Sequence, residues 1–159
     1  MYEVIFCWDR RGKEPAFRWI FLAALFIIDR GAKLAATYYL SETMMEKNVR
    51  IFSLALYHNH GISFSMLGNF PSAGLAVSIM GIVAFGVICF KDASLRLSTG
   101  ALFLWAGATG NLIDRLLYGY VIDWFYIGAQ NIGVHINLAD IWLCAGCLMV
   151  VYHYAKGSA

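Results

Sequence analysis

The chain alternates long apolar runs with short polar breaks. A membrane-spanning helix needs about 20 mostly apolar residues, and four stretches approach that length. They are approximately 17–39, interrupted by Asp29, Arg30 and Lys33; 72–90, with no charge; 97–116, ending in Asp114 and Arg115; and 136–154, with Asp140 near its start. Pro71 precedes the second stretch, a position where the missing proline N–H would be unpaired anyway. Residues 51–70 also lack charge, yet their second half packs together His58, Asn59, His60, Gly61, Ser63, Ser65 and Asn69. There Ile62, Phe64 and Met66 alternate with Ser63 and Ser65, a period of two that predicts strand rather than a fifth span. The expected fold is an integral membrane protein, mainly α. It has four transmembrane helices and a small extracytoplasmic β-like segment, about 41–70, between helices 1 and 2. Residues 1–159 read as a single polytopic membrane domain, with no internal repeat or low-complexity linker.

Charge sharpens this picture. Only 22 of 159 residues are charged, and fourteen of them lie in residues 1–50, leaving eight for the other 109. Eight charges cannot cover the surface of a soluble fold of that size. A net charge of +2 without a basic patch excludes a nucleic-acid partner. With four spans, Arg10, Arg11, Lys13, Arg18, Lys91, Arg96 and Lys156 fall on one side, against Lys47 and Arg50 on the other. The positive-inside rule then puts both termini in the cytoplasm. Arg10-Arg11 followed by the apolar run to Ile28 is signal-peptide-like, but apolar character resumes at Leu34, so a retained first span is expected. No disulfide is expected. Cys144 and Cys147 have redox spacing, but mid-helix in an apolar span they are expected to be packing thiols.

Charged residues within a membrane cost roughly 3 kcal/mol each on insertion scales, so each is a functional candidate. Asp29 is twelve residues beyond Phe17, or about 18 Å along a helix entering from the cytoplasm, in the outer half. Asn111, Asp114 and Arg115 close the outward third span, Asn137 and Asp140 open the inward fourth, and Asp123 lies in the outer loop between them. Separate elements thus deliver these groups to one level near the outer surface. Asp123 and Asp140 are the pair of interest. Two adjacent carboxylates share one proton; the ionised member can deprotonate a water while the protonated one polarises a carbonyl, with no metal or cofactor. The bland alternative is that these aspartates cap helix starts or pair with Arg115. Asp114, adjoining Arg115, is expected to be hydrogen-bonded and structural.

Other readings are weaker. His58 and His60 make a poor metal site without a third ligand, and His135 and His153 are expected to be interfacial or terminal. Ser63 and Ser65 have no lysine or histidine placed to activate them. The small-residue pairs Ala106/Gly110 and Gly107/Asn111 predict a helix-packing face on the third span. A transporter would want its carboxylates near the midplane on broken helices, whereas these collect near one surface. A binding protein that has kept the aspartates without the activity stays open.

The residues that carry this chemistry also match a family. Gly110-Asn111-Leu112-Ile113-Asp114-Arg115-Leu116, Gly119-Tyr120-Val121-Ile122-Asp123-Trp124 and Asn137-Leu138-Ala139-Asp140 resemble the C-terminal motifs of lipoprotein signal peptidase, signal peptidase II. Asn59 to Ser65 and Asp29-Arg30-Gly31-Ala32-Lys33 resemble its two earlier motifs, in the same order. The resemblance implies an intramembrane aspartic endopeptidase of the bacterial cytoplasmic (inner) membrane. It removes signal peptides from diacylglyceryl-modified prolipoproteins, cutting before the lipidated Cys. Asp123 and Asp140 match the catalytic pair; Asn59, Asn111, Arg115 and Asn137 match residues that position substrate or support the aspartates; Asp29 and Lys33 match supporting polar positions, beside Asp114. Expected partners are the lipidated substrate, membrane lipids and the inhibitor globomycin, with the chain acting as a monomer. Departures from the family pattern are Arg30 for Gln, Ala32 for a small hydroxyl, Ile136 for Phe and Ile141 for a small residue. Arg30, beside Asp29, is placed to pair with it.

Acyl chains in the outer leaflet would put the scissile bond at the depth of the aspartates. The 51–70 segment would then serve as a platform for extended substrate.

Overall fold

A computed structural model describes residues 16–40, 52–61, 71–129 and 132–157. Four long helices dominate: α1 (Ala16–Tyr39), α2 (Pro71–Lys91), α4 (Thr99–Tyr118) and α5 (Leu138–Gly157), with a short α3 (Ala93–Leu97) between the second and third. Three strands, β1 (Phe52–Asn59), β2 (Val121–Ala129) and β3 (Ile132–Ile136), form one antiparallel sheet in that order. The four long helices overlie the four apolar stretches of the sequence, each within a few residues. By length and composition alone, Ala73–Lys91 and Leu138–Lys156 suffice to cross a membrane.

The other two long helices carry charge for a visible reason. In α1, Asp29 and Lys33 are completely buried, and in α4 so is Asp114. Meanwhile Trp19, Ile20, Ile27, Met80, Phe90, Leu148 and Val151 face outward. Charge inside and large apolar side chains outside is the reverse of a soluble domain, and it suits helices surrounded by lipid. Cys144 and Cys147 lie on this exposed surface, so they are not the packing thiols expected of them.

α4 is the central helix, packed on α1, α2 and α5. Its approaches to α5 and α1 depend on small residues, as the Ala106/Gly110 and Gly107/Asn111 face predicts. A Cβ on Gly107 would collide with the Ala139 carbonyl, and one on Gly110 would sit 2.8 Å from Asp29 Oδ2. Ser98 caps the start of α4 by accepting from Ala101 N–H at 3.1 Å. Gly119 ends it in the left-handed region (φ 80°), donating to the Arg115 carbonyl. At the opposite end, Asp92 caps α3 and accepts from the Tyr154 hydroxyl of α5 at 2.5 Å.

The sheet is where sequence and structure differ most. A strand does form between α1 and α2, but it occupies Phe52–Asn59, upstream of the alternating 62–66 pattern, which lies outside the described residues. The other two strands come from the connection between α4 and α5, where the sequence predicts an outer loop. Val121-Ile122-Asp123-Trp124-Phe125-Tyr126-Ile127 is rich in β-branched and aromatic residues. Its odd and even positions are both largely apolar, so no period of two marks it as a strand. Pairing shifts between Leu54 and Tyr57, a bulge that leaves Ala55 and Leu56 buried. Leu56 packs with Ala36 and Ile122 in a small core, against Leu40, Tyr120 and Trp124. Beyond the bulge Tyr57 pairs with Asp123 and Asn59 with Val121, which brings the end of β1 to the start of β2.

Candidate active site

Asp123 and Asp140 arrive from different elements. Asp123 is the third residue of β2 and is 1% exposed. Its Oδ1 accepts from Asn137 Nδ2 at 2.6 Å, and its Oδ2 from Asn59 Nδ2 at 2.9 Å. Asp140 lies in the first turn of α5. Its Oδ1 accepts from Asn111 Nδ2 at 2.8 Å and its Oδ2 from the Asn137 backbone N–H at 3.1 Å. Asn137 Oδ1 in turn accepts from Asp140 N–H at 3.0 Å. Asn137 and Asp140 therefore close a reciprocal capping box. The helix-capping role that was the bland alternative for Asp140 is real, and it leaves Oδ1 turned toward Asn111.

One asparagine thus holds both carboxylates. Asn137, 1% exposed, contacts Asp123 with its amide and Asp140 with its backbone, and its Nδ2 also donates to Asn111 Oδ1 at 3.2 Å. Burial lifts the Asp123 carboxyl from its ordinary 3.8 to about 7, and the charge of Asp140 adds to the rise. The amides of Asn59 and Asn137 and the Lys33 charge oppose it. A carboxyl in this range can hold or release a proton near neutral pH.

Beneath the pair lies a frame of buried charge. Lys33 Nζ is 2.9 Å from Asp29 Oδ2, 2.8 Å from Asp114 Oδ2 and 3.0 Å from Asn111 Oδ1, three acceptors for its three protons. Because Lys33 takes the Asn111 oxygen, the Asn111 amide nitrogen is turned to Asp140. Asp29 Oδ1 accepts from Ala139 N–H at 2.9 Å, an N–H in the open first turn of α5. Asp114 Oδ2 accepts from Ile122 N–H at 3.3 Å, next to Asp123 in the chain. Its Oδ1 is ion-paired with Arg30 Nη1. Asp114 is hydrogen-bonded as expected, but its cations are Arg30 and Lys33, not Arg115. Arg30 passes over its neighbour Asp29, because consecutive helical residues point about 100° apart. Arg115 donates to the Gly61 carbonyl at 3.0 Å and to the Asn111 carbonyl at 3.4 Å.

All nine sequence candidates, Asp29, Lys33, Asn59, Asn111, Asp114, Arg115, Asp123, Asn137 and Asp140, join one connected cluster spanning α1, β1, α4, β2 and α5. Arg30 belongs to it too, a residue that the sequence marks only by its departure from a motif. The imidazole rings of His58 and His60 pack on Tyr120, with centroids 4.2 and 5.3 Å away, and His135 stacks on Tyr57 at 4.5 Å. Among the described residues no group of three or more His, Cys, Asp or Glu is arranged to hold a metal. Ser63 and Ser65 lie outside the described residues.

Helices with apolar outward faces that enclose a cluster of carboxylates, amides and cations, with a small sheet at one end, define a membrane-protein scaffold with its polar groups inside. Two solved bacterial membrane enzymes share it. Both were determined by the in meso method, at 2.3 and 1.9 Å resolution. The first superposes with a TM-score of 0.74 at 22% identity, covering 91% of each chain; the second gives 0.71 at 22%, covering 89% of this chain and 94% of its own. The family described as signal peptidase (SPase) II matches residues 21–156. The lipoprotein signal peptidase of Pseudoalteromonas translucida is 28% identical over 163 residues, covering 95% of this chain and 96% of its own. That of Caldicellulosiruptor bescii is 31% identical over 138 residues (87% and 90%), and that of Chromobacterium violaceum 32% over 149 (84% and 88%). The chain belongs to the signal peptidase II family, peptidases that cleave signal peptides from prolipoproteins.

Proposed function

We propose that the chain is an intramembrane aspartic endopeptidase that cuts diacylglyceryl-modified prolipoproteins just before the lipidated Cys, with Asp123 and Asp140 as the catalytic pair. The observation that carries this reading is that Asn137 holds both carboxylates, on separate elements, within one hydrogen-bond network. The pair carries one proton between them. A water bound there loses a proton to the ionised carboxylate and attacks the scissile carbonyl carbon, while the protonated carboxyl donates to the carbonyl oxygen. The resulting gem-diol then collapses: the first carboxyl gives its proton to the leaving amine as the C–N bond breaks. A gem-diol hydroxyl returns a proton to the second carboxylate, which restores the singly protonated pair and leaves a carboxyl product. Asn59, Asn111 and Asn137 orient the carboxyl groups, and Arg115, already on a backbone carbonyl, orients a carbonyl of the substrate. Asp29, Lys33 and Asp114 form the frame.

On the same reading, residues 1–159 make one polytopic domain with four spans, both termini cytoplasmic, in the bacterial inner membrane. The aspartates then lie near the outer leaflet, at the depth of a diacylglyceryl-anchored scissile bond. The protein works as a monomer among lipids, and globomycin inhibits it. The test uses detergent-purified protein with a diacylglyceryl-modified prolipoprotein, beside Asp123→Asn and Asp140→Asn. Cleavage by wild type and by neither variant is expected. Cleavage that survives both substitutions refutes the mechanism, and none by any form favours a binding protein.

A further inference from the structure

Four carboxylates and three cations share the cluster, which is buried at Asp29, Lys33, Asp114 and Asp123 and partly exposed at Arg30, Arg115 and Asp140. Asp29, Asp114, Asp123 and Asp140 face Lys33, Arg30 and Arg115, and the hydrogen bonds and ion pairs already described connect the cluster from the Arg30 guanidinium to Asp140. With every group ionised the sum is −1, and with one proton on the aspartate pair it is zero. Buried charge is tolerated when it is balanced and hydrogen-bonded, so the frame favours the singly protonated pair. Arg30 supplies one of the three positive charges. The guanidinium reaches Asp114 Oδ1, leaving Oδ2 to Lys33 and to Ile122 N–H, the peptide beside Asp123.

We propose that Arg30 is a positioning and charge-balancing residue for the Asp123/Asp140 pair, acting through Asp114, and that it sets the pH window in which the pair holds a single proton. The inference rests on the peptidase reading and deepens it. Without Arg30, two cations face four carboxylates, and neutrality requires a second proton. The protons of the cluster are then held more tightly, and the whole window moves to higher pH. The other titratable groups around the pair are counted already or packed elsewhere, with His58 and His60 against Tyr120 and His135 against Tyr57. From α1 come Asp29 and Lys33, from α4 Asp114 and Arg115, from β1 Tyr57 and His58, from the residue that follows that strand His60, and from β3 His135. Burial holds His135 below its ordinary value, which disfavours its charged form. Tyr118 lies near the guanidinium and carries no positive charge in any state. The charge of α2 is confined to Lys91, its last residue.

The experiment compares wild type, Arg30→Gln and Arg30→Lys, as full chains in detergent. One readout is the pH profile of kcat/KM on a diacylglyceryl-modified prolipoprotein, and the other is the unfolding temperature from pH 5 to 9. In Arg30→Gln both limbs of the profile are expected to move up by roughly half to one pH unit. Arg30→Lys, which keeps the charge, is expected to keep the wild-type limbs even if turnover falls. A Gln variant whose limbs superimpose on wild type overturns the proposal, whatever its turnover, because a purely structural loss lowers the amount of active enzyme without moving the limbs. Should the Gln variant not fold, limbs that move in the Lys variant overturn it equally, and unmoved limbs support it. If wild type does not cleave, or Asp123→Asn does, the peptidase reading fails by itself. The unfolding temperatures then decide on Arg30: a pH dependence shifted upward in Arg30→Gln supports the charge balance, and an unshifted one overturns it.

Discussion

Replacing Lys33 with Met tests the frame most directly. Met nearly fills the volume of the lysine stem, so the change is chiefly electrostatic. The ammonium has three partners within 3.0 Å and is completely buried with two of them, Asp29 and Asp114. Asp114 keeps Arg30, but Asp29 keeps only the Ala139 N–H. Removing one member of a buried ion pair strands the other and costs about 3–5 kcal/mol. For a chain of this size each kcal/mol lowers the unfolding temperature by roughly 2–4 °C, so the expected fall is roughly 6–20 °C. Intrinsic fluorescence of the five tryptophans follows the transition in detergent. A second substitution, Asp29→Asn, removes the stranded charge while keeping an oxygen for Ala139 N–H, and recovers a large part of the loss. If Lys33→Met unfolds within about 2 °C of wild type, a cost below 1 kcal/mol, the ion pairs do not carry the frame. If Asp29→Asn deepens the loss instead, stranding is the wrong explanation.

Three further outcomes follow from the same geometry. Asp123 in the folded chain sits above its ordinary 3.8, at about 7, so its ionisation opposes folding. That cost is absent below pH 4, grows as pH rises through 7 and is complete above it; the wild-type unfolding temperature therefore falls from pH 5 to 8, and Asp123→Asn flattens the fall. Asn137→Ala frees both aspartates at once and should lower kcat by about 100-fold or more, read in the lipidated-substrate assay, whereas a loss below tenfold would mean the amide does not orient the pair. Gly107→Ala puts a methyl against the Ala139 carbonyl. Pushing α5 away should cost about 1–3 kcal/mol of stability, with a loss of turnover because Asp140 is the next residue; unchanged stability in thermal unfolding would show that the helices can part freely.

The helices were legible because their signal is bulk hydrophobicity over about 20 residues, which no local detail disturbs. The cluster was legible for a related reason: in a chain so poor in charge, each polar residue within an apolar run must be buried with company. What escaped was pairing between distant segments. The partner of Arg30 is 84 residues away, and adjacency in sequence suggested Asp29 instead. β2 escaped because both of its faces are apolar, against the sheet's own core on one side and beside the candidate site on the other. The strand Phe52–Asn59 lies within the expected β-like segment of about 41–70, but its bulge breaks the period of two, so the alternation downstream marks that segment more plainly than the strand itself does.

The dual duty of Asp140 bears on how such a site can be built at all. A catalytic carboxylate in an apolar setting must be fixed in place yet keep one oxygen available, and flexible side chains meet those demands poorly together. Here α5 cannot begin without satisfying its first N–H groups, and two of them are taken by Asn137 and Asp29. Asp140 returns a bond to Asn137, so the helix start that the fold needs anyway also immobilises the carboxyl. The remaining oxygen is set by Asn111, whose orientation is in turn set by Lys33. Each link is therefore a folding contact before it is a catalytic one. It follows that substitutions in the frame should reduce stability and turnover together, whereas Asp123→Asn, which relieves a buried charge, should separate them: activity lost, stability at pH 8 retained or raised.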